Sequence, residues 1–223
     1  ADLRSEPLRS AWGAEADVLV LAGSDFVAAL DPASYTAHAG ADIAGQPNAV
    51  VTLDIPQESL VWKGVPADLT PEFRLRGAWA RALQTSGALA RALELTIDHA
   101  RQREQFGRPI SKFQAVQTLI ADSANALAVA KTAAYFATDV VSTHGFDSQQ
   151  GRFAVSVAKI ESARAATTVA RNAHQVHGAI GFTLDHRLRH FTNRALAWRS
   201  QFGSPAAWQR QLGQSALAAD SSV

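Results

Sequence analysis

Two short segments of this chain hold residue types that can grip an anionic, partly aromatic ligand. The first runs Arg103-Glu104-Gln105-Phe106-Gly107-Arg108-Pro109-Ile110 and closes with Gln114. A guanidinium presents its donors as a fork that matches a diphosphate, and Phe106 adds an apolar face. The second runs Gln175-Val176-His177-Gly178-Ala179-Ile180-Gly181-Phe182. Gly178 and Gly181 bracket a loop where backbone can approach a ligand, and the Gln175 amide both donates and accepts. Each segment also has a plainer reading. Arginine is favoured near any helix C-terminus, and a glycine-rich loop between helices is often just a turn.

Other reactive side chains point less clearly. His174 and His177 stand three apart, and His186 and His190 four apart, so each pair shares a helical face. Bundles that bind two irons use Glu-x-x-His repeats, which are absent, so no metal site is expected and the histidines read as solvated or junction packing. Glu94, Asp98 and Glu161 sit at helical spacing from basic residues and read as surface partners. Arg187, Arg189, His190 and Arg194 form a basic cluster, either a solvated face or a site for a phosphorylated ligand.

These residues need elements to hold them. Residues 1–66 read as a β-rich piece. Asp17–Ala22 is an apolar run ended by Gly23-Ser24-Asp25, Phe26–Leu30 follows at hairpin distance, and Ala49–Leu53 is a third run. Leu60–Trp62 is a candidate fourth. The spacing predicts an antiparallel meander that completes a sheet begun upstream. From about Leu69 the period becomes helical, giving a bundle domain over 67–223. The first helix carries Leu83, Gly87, Ala90, Leu93, Ile97 and Ala100 on one face and is stopped at Phe106-Gly107. The second carries Phe113, Val116, Ile120, Ala124, Leu127 and Ala134. The third carries Val155, Ala158, Ser162, Ala166, Val169, Ala173 and Val176. A fourth is expected over Asp185–Ser200, and a fifth begins with Ser204 as N-cap and Pro205 at the first helical position. The fold class is thus mainly α: an antiparallel helical bundle preceded by a partial antiparallel β-domain.

Composition narrows the function. The 223 residues carry a formal net charge of +1, which argues against nucleic-acid or membrane-surface partners. There is no cysteine, hence no disulfide or thiolate metal site, in keeping with a cytoplasmic location. No apolar run approaches a membrane span. Methionine is absent too, and the chain reads as a piece whose natural start lies upstream.

The two ligand-gripping segments together resemble the C-terminal helical domain of the flavin-dependent acyl-CoA dehydrogenases. The resemblance is densest over residues 77–204. It implies that Arg103, Gln105, Phe106 and Gln114 contact the ADP part of an FAD seated in a neighbouring subunit, and that Gln175 and Gly178 contact flavin. Gln105 stands where a Thr is frequent, and Ala179 replaces a second Gly. The same resemblance places the family's catalytic glutamate, which takes the α-proton while flavin N5 takes the β-hydride, at Phe202, followed by Gly203 and Ser204. A second glutamate location used by some members falls at Gly77, with Ala78 where Arg is usual. Neither residue accepts a proton, so no catalytic residue is expected at either place. Arg76 and Arg81 flank the second, and Trp198, Trp208 and Phe202 read as an aromatic plug of the last turn.

The resemblance therefore implies a subunit of an FAD-dependent acyl-CoA dehydrogenase that lacks its own base. It would support a catalytic partner subunit, its FAD and its acyl-CoA, in an α2β2 heteromer like those of actinobacterial steroid side-chain breakdown. Two alternatives stay open: a flavin monooxygenase or oxidase of the same fold, and a purely structural partner subunit.

Overall fold

The computed structural model describes residues 8–22, 27–53 and 69–220. The chain divides into two compact units, Ala1–Phe73 and Arg74–Val223.

Among the described residues of the first unit five strands form: β1 (Leu8–Ala11), β2 (Leu19–Ala22), β3 (Val27–Leu30), β4 (Tyr35–His38) and β5 (Asn48–Leu53). β2 and β3 pair as an antiparallel hairpin, and β1, β5 and β4 make an antiparallel sheet in that order. Strict alternation along β5 buries Ala49, Val51 and Leu53 against Ala28, Leu30 and Tyr35. The expected runs before Asp31 and at 49–53 are strands, whereas β1 and β4 were not foreseen. Their sequences, Leu-Arg-Ser-Ala and Tyr-Thr-Ala-His, lack an apolar run because each shows only part of one face to the core. Nor is the order of the described strands a meander, since β1 pairs with β5. The turn at Gly23-Ser24-Asp25 and the candidate strand at Leu60–Trp62 lie outside the described residues.

The second unit is a bundle. Its helices are α1 (Leu69–Gln102, which begins just before the division), α2 (Gln114–His144), α3 (Gln149–His177), α4 (Leu188–Trp198) and α5 (Pro205–Asp220). α3 is the central rod, and all seven residues expected on its face are buried. Ser148 caps its start by accepting from the Gly151 amide at 2.9 Å, and Gly178 at φ 63° ends it. Around α3, alanines pack at near-zero exposure: Ala78, Ala82 and Ala92 from α1, and Ala130, Ala134 and Ala137 from α2. Small side chains let the helix axes come close, and the larger Leu89, Val155, Val169 and Leu188 fill what remains. Each of those larger side chains contributes about 1.5–3 kcal/mol by leaving water.

The α1 stripe differs from the expected one. Leu93 and Ala100 are buried, but Gly87 is exposed, Leu83, Ala90 and Ile97 only half-buried, and the buried line runs through Leu75, Ala78, Ala82, Ser86, Leu89 and Thr96. Ser86 Oγ and Thr96 Oγ1 donate back to the carbonyls of Ala82 and Ala92 at 2.9 and 2.7 Å, so hydroxyls sit in the core without an unmet bond. Apolar periodicity cannot see such positions. On α2, Ala134 is buried and Phe113, Val116, Ile120 and Leu127 are half-buried, but Ala124 is exposed. α4 is shorter at both ends than Asp185–Ser200. At α5 the expected cap is present, with Ser204 Oγ accepting from the Ala207 amide at 3.2 Å.

Candidate functional site

At the corner between α1 and α2 the helix stops at Gln102, five residues before Gly107. β6 (Glu104–Gln105) then pairs with β7 (Arg108–Pro109) around a two-residue turn. Both turn residues have positive φ, 53° at Phe106 and 77° at Gly107, the backbone sense that matches the twist of a tight hairpin. For phenylalanine this left-handed conformation costs about 1–2 kcal/mol. Its ring is 91% exposed, so folding gains little from it. An exposed, strained aromatic is a sign of a surface kept for a ligand. Phe113 stands edge-on to it with ring centres 6.0 Å apart, and the Arg108 guanidinium lies 4.4 Å over Phe113. Arg103, Gln105 and Gln114 are all exposed around this hairpin, and the Ile110 amide donates to the Arg103 carbonyl at 2.8 Å, closing the corner.

The second segment lies at the end of α3. Gln175 and Gly178 are exposed, and Gly178 needs glycine for its φ of 63°. Gly181 needs it for space, because an added Cβ would come within 2.9 Å of the His177 Cβ. Buried Ala100, Ile110 and Val176 share one apolar cluster, and the His99 and His177 rings stack at 4.4 Å. The fold thus brings the two segments together at one end of the bundle.

A histidine cluster underlies this end. His177 Nδ1 donates to the Ala173 carbonyl at 2.8 Å, which leaves Nε2 buried without a hydrogen-bond partner. Burial pushes His177 down to about 4, opposed by the bond to Ala173 and reinforced by the imidazoles of His99, His186 and His174. Burial, then His186, also lowers His174, whose Nε2 meets Thr192 Oγ1 at 3.0 Å and whose ring stacks on Phe182. His99 is lowered by burial, then by His186 and Arg103. His186 precedes α4 and does not share a helical face with His190; its Nδ1 accepts from the Leu188 amide at 3.2 Å. Among the described residues no three His, Asp or Glu side chains are arranged to hold a metal. No helix among them is long and apolar enough to cross a membrane. Glu94 and Glu161 form the expected surface pairs, with Arg91 at 2.7 Å and Arg164 at 2.6 Å.

Toward the other end of α1 lies the turn after α4. Phe202 adopts φ 57°, again left-handed. Its carbonyl accepts from Arg74 Nε at 3.3 Å and from Trp208 Nε1 at 3.2 Å. Gly203, at φ 114°, has no room for a side chain, since a Cβ there would lie 2.7 Å from both Arg74 Nη2 and Trp208 Nε1. The Phe202 ring lies directly on Gly77, where an added Cβ would overlap the ring carbons. Cations surround this turn, each set against aromatic or backbone groups. Arg74 lies 4.7 Å over Trp208, Arg76 4.6 Å over Phe146, and Arg81 5.1 Å over Trp198. Lys159, 1% exposed, donates to the Trp198 carbonyl at 2.9 Å, and burial followed by Arg81 lowers its pKa to about 8. Sequence reading missed Arg74, His99, Arg108 and Lys159 as site-shaping residues. For Lys159 a signal existed: it interrupts the apolar run Val157-Ala158-Lys159-Ile160.

The model of the acyl-CoA dehydrogenase C-terminal domain matches residues 75–217. The chain belongs to the acyl-CoA dehydrogenase family. Among curated relatives of this acyl-CoA dehydrogenase-family chain, 3-sulfinopropanoyl-CoA desulfinase of Paraburkholderia xenovorans is 34% identical over 126 residues, covering 56% of the chain and 31% of the relative. Acyl-CoA dehydrogenase IpdE2 of Mycolicibacterium smegmatis is 30% identical over 131 residues, covering 59% and 39%. The chain therefore spans well under half the length of these relatives. A solved chain of the ChsE4–ChsE5 complex from Mycobacterium tuberculosis superposes with a TM-score of 0.80 at 22% identity, over 93% of this chain and 58% of that one. The likeness shows the fold of the acyl-CoA dehydrogenases. FAD is the cofactor of this family. The bundle end with Arg103, Arg108 and the strained, exposed Phe106 ring suits an anionic dinucleotide, because it offers cations and an aromatic face that the protein core does not use.

Proposed function

We propose that this chain is a subunit of an FAD-dependent acyl-CoA dehydrogenase that lacks its own catalytic glutamate and supports a partner subunit and that partner's FAD. The observation that carries this reading is the contact of Phe202 with Gly77. The two places where the family's base would stand are packed against each other, apolar against apolar. Neither can take an α-proton.

Helix geometry supports the sharing of cofactor. Gly77 and the Arg103 corner lie toward opposite ends of α1, roughly 38 Å apart along its axis at 1.5 Å per residue. That is further than one dinucleotide reaches, so the two ends of this chain would serve different flavins. Losing the base at one end leaves the grip at the other intact. Arg103, Gln105, Phe106, Gln114, Gln175 and Gly178 would hold a neighbour's FAD. The solved ChsE4–ChsE5 complex offers a precedent for two different chains assembling on this fold. A steroid side-chain thioester, or a fatty acyl one, is the substrate class we assign to the partner's site, an α2β2 assembly the expected form and the cytoplasm the expected location.

The test is co-purification of the full-length protein with the product of an adjacent gene, followed by native mass and flavin absorbance. The expected result is fewer flavins than subunits, with α,β-dehydrogenation only in the mixed assembly. Dehydrogenation of acyl-CoA by the full-length protein alone, with its own FAD, would sink the proposal.

A further inference from the structure

We infer that Phe202 and Gly77 form a keyed plug that shuts acyl-CoA out of this subunit's own site, so that the site is closed as well as lacking a base. The inference rests on the reading of these two residues as the vacated base positions, and it adds a physical exclusion to that chemical loss.

Three observations carry it. First, the ring and the glycine are interdependent. The ring occupies the space a side chain at position 77 would need, so any residue larger than glycine there displaces it. Second, the ring is held in place against strain. Phenylalanine at φ 57° would relax to a commoner backbone unless its surroundings fixed it. Two side-chain donors, Arg74 Nε and Trp208 Nε1, converge on its carbonyl, and Gly203 leaves the room they need. Third, the turn is anchored upstream, where the buried Lys159 ammonium caps the Trp198 carbonyl at the end of α4. Trp208, 1% exposed, belongs with Leu75 and Phe146 to the buried cluster against which Phe202 packs. An idle surface turn has no need of two charged donors and a buried tryptophan. A ring seated in a glycine notch fills a volume that an acyl chain would otherwise enter.

The experiment has two arms on the full-length protein in its assembly. In the first, Gly77→Ala is compared in the wild-type and Phe202→Ala backgrounds by thermal unfolding. The added methyl should lower Tm by several degrees when the ring is present. It should leave Tm level or higher when the ring is gone, because alanine is the better helix former. Equal Tm changes in the two backgrounds would overturn the interlock. In the second arm, calorimetric titration with octanoyl-CoA counts thioester sites per assembly. The expected result is twice as many sites for Phe202→Ala as for wild type. Equal counts, zero included, would overturn the exclusion, and so would one site per subunit in the wild type. Neither arm depends on turnover, so the assignment of the base to a partner chain can fail or hold separately.

Discussion

Replacing Lys159 with methionine should reverse sign between neutral and alkaline pH. The ammonium is 1% exposed and its pKa falls from 10.5 to about 8, chiefly because burial penalises the charge. At about 1.4 kcal/mol per decade, that gap amounts to roughly 3 kcal/mol of folding cost. A lysine pKa depressed in the fold means that the unfolded chain binds the extra proton between pH 8 and 10.5. The cost is therefore fully present below pH 8 and is relieved as pH rises to 10.5. Methionine has nearly the same volume and no charge, so it removes the cost at every pH. It also strips the donor from the Trp198 carbonyl, at about 1–3 kcal/mol for a buried unmet acceptor.

The two terms predict a crossing. At pH 7 Lys159→Met should be as stable as wild type or up to about 2 kcal/mol more stable, and at pH 10.5 less stable by about 1–3 kcal/mol. Urea titrations of both proteins at several pH values between 7 and 10.5 measure this directly. Taking the difference cancels the other lysines and the tyrosines, which both proteins share. Parallel stability curves would refute the reasoning, because they would mean that Lys159 is either well hydrated or charged throughout with no penalty.

Acid should act through His177. Its folded pKa of about 4 lies below the ordinary 6.5, so it supports the fold above pH 6.5 and withdraws that support as pH falls toward 4. His177→Phe keeps the stack on His99, and its Tm should fall less than that of wild type between pH 7 and 5. Arg103→Ala should weaken FAD retention in the assembly roughly 10- to 100-fold, the worth of a charge-assisted bond of about 1.5–3 kcal/mol, read as flavin per subunit after gel filtration. Unchanged flavin content would favour a purely structural role for the bundle. Ser204→Ala should cost at most about 1 kcal/mol in chemical unfolding, the usual value of an N-cap hydroxyl, because the Ala207 amide loses the hydroxyl and keeps only the Ser204 carbonyl, at 3.0 Å.

Helix α3 was legible in the sequence because its partners surround it, so apolar spacing and burial coincide at Val155, Val169 and Val176. α1 was misregistered because alanine, serine and threonine line its buried side. Bundle cores built from small residues conceal their inner face from any hydrophobic count. The corner at Phe106-Gly107 was visible as a break but not as a hairpin, since a phenylalanine with positive φ is not what turn chemistry selects. Pairing of β1 with β5 was invisible for a different reason, in that contact across 40 residues leaves no local trace in either strand. For the site, residue types marked Arg103 and Gln175, and the family resemblance marked Phe202. What they could not reveal was adjacency: that His99 and His177 join two segments 70 residues apart, and that Phe202 rests on Gly77.

Under the proposed function, that last adjacency changes how the lack of a carboxylate at this turn is understood. Two independent losses at unrelated positions would each leave a hole, and holes in a packed turn cost stability in proportion to their volume. Here one ring fills both. Glycine at 77 is required by phenylalanine at 202, and the ring gains its burial only because position 77 is bare. A glutamate restored at 77 alone would meet the ring. One placed at 202 would keep the side-chain donors Arg74 Nε and Trp208 Nε1 on its backbone carbonyl but leave the notch at Gly77 unfilled. It would also lie near Arg74, whose positive charge favours the ionised carboxylate and so weakens it as a base. Under the proposed function, proton abstraction at this turn therefore calls for changes at 77, 202 and 74 together, whereas the end proposed to grip flavin, roughly 38 Å away along α1, is untouched by any of them.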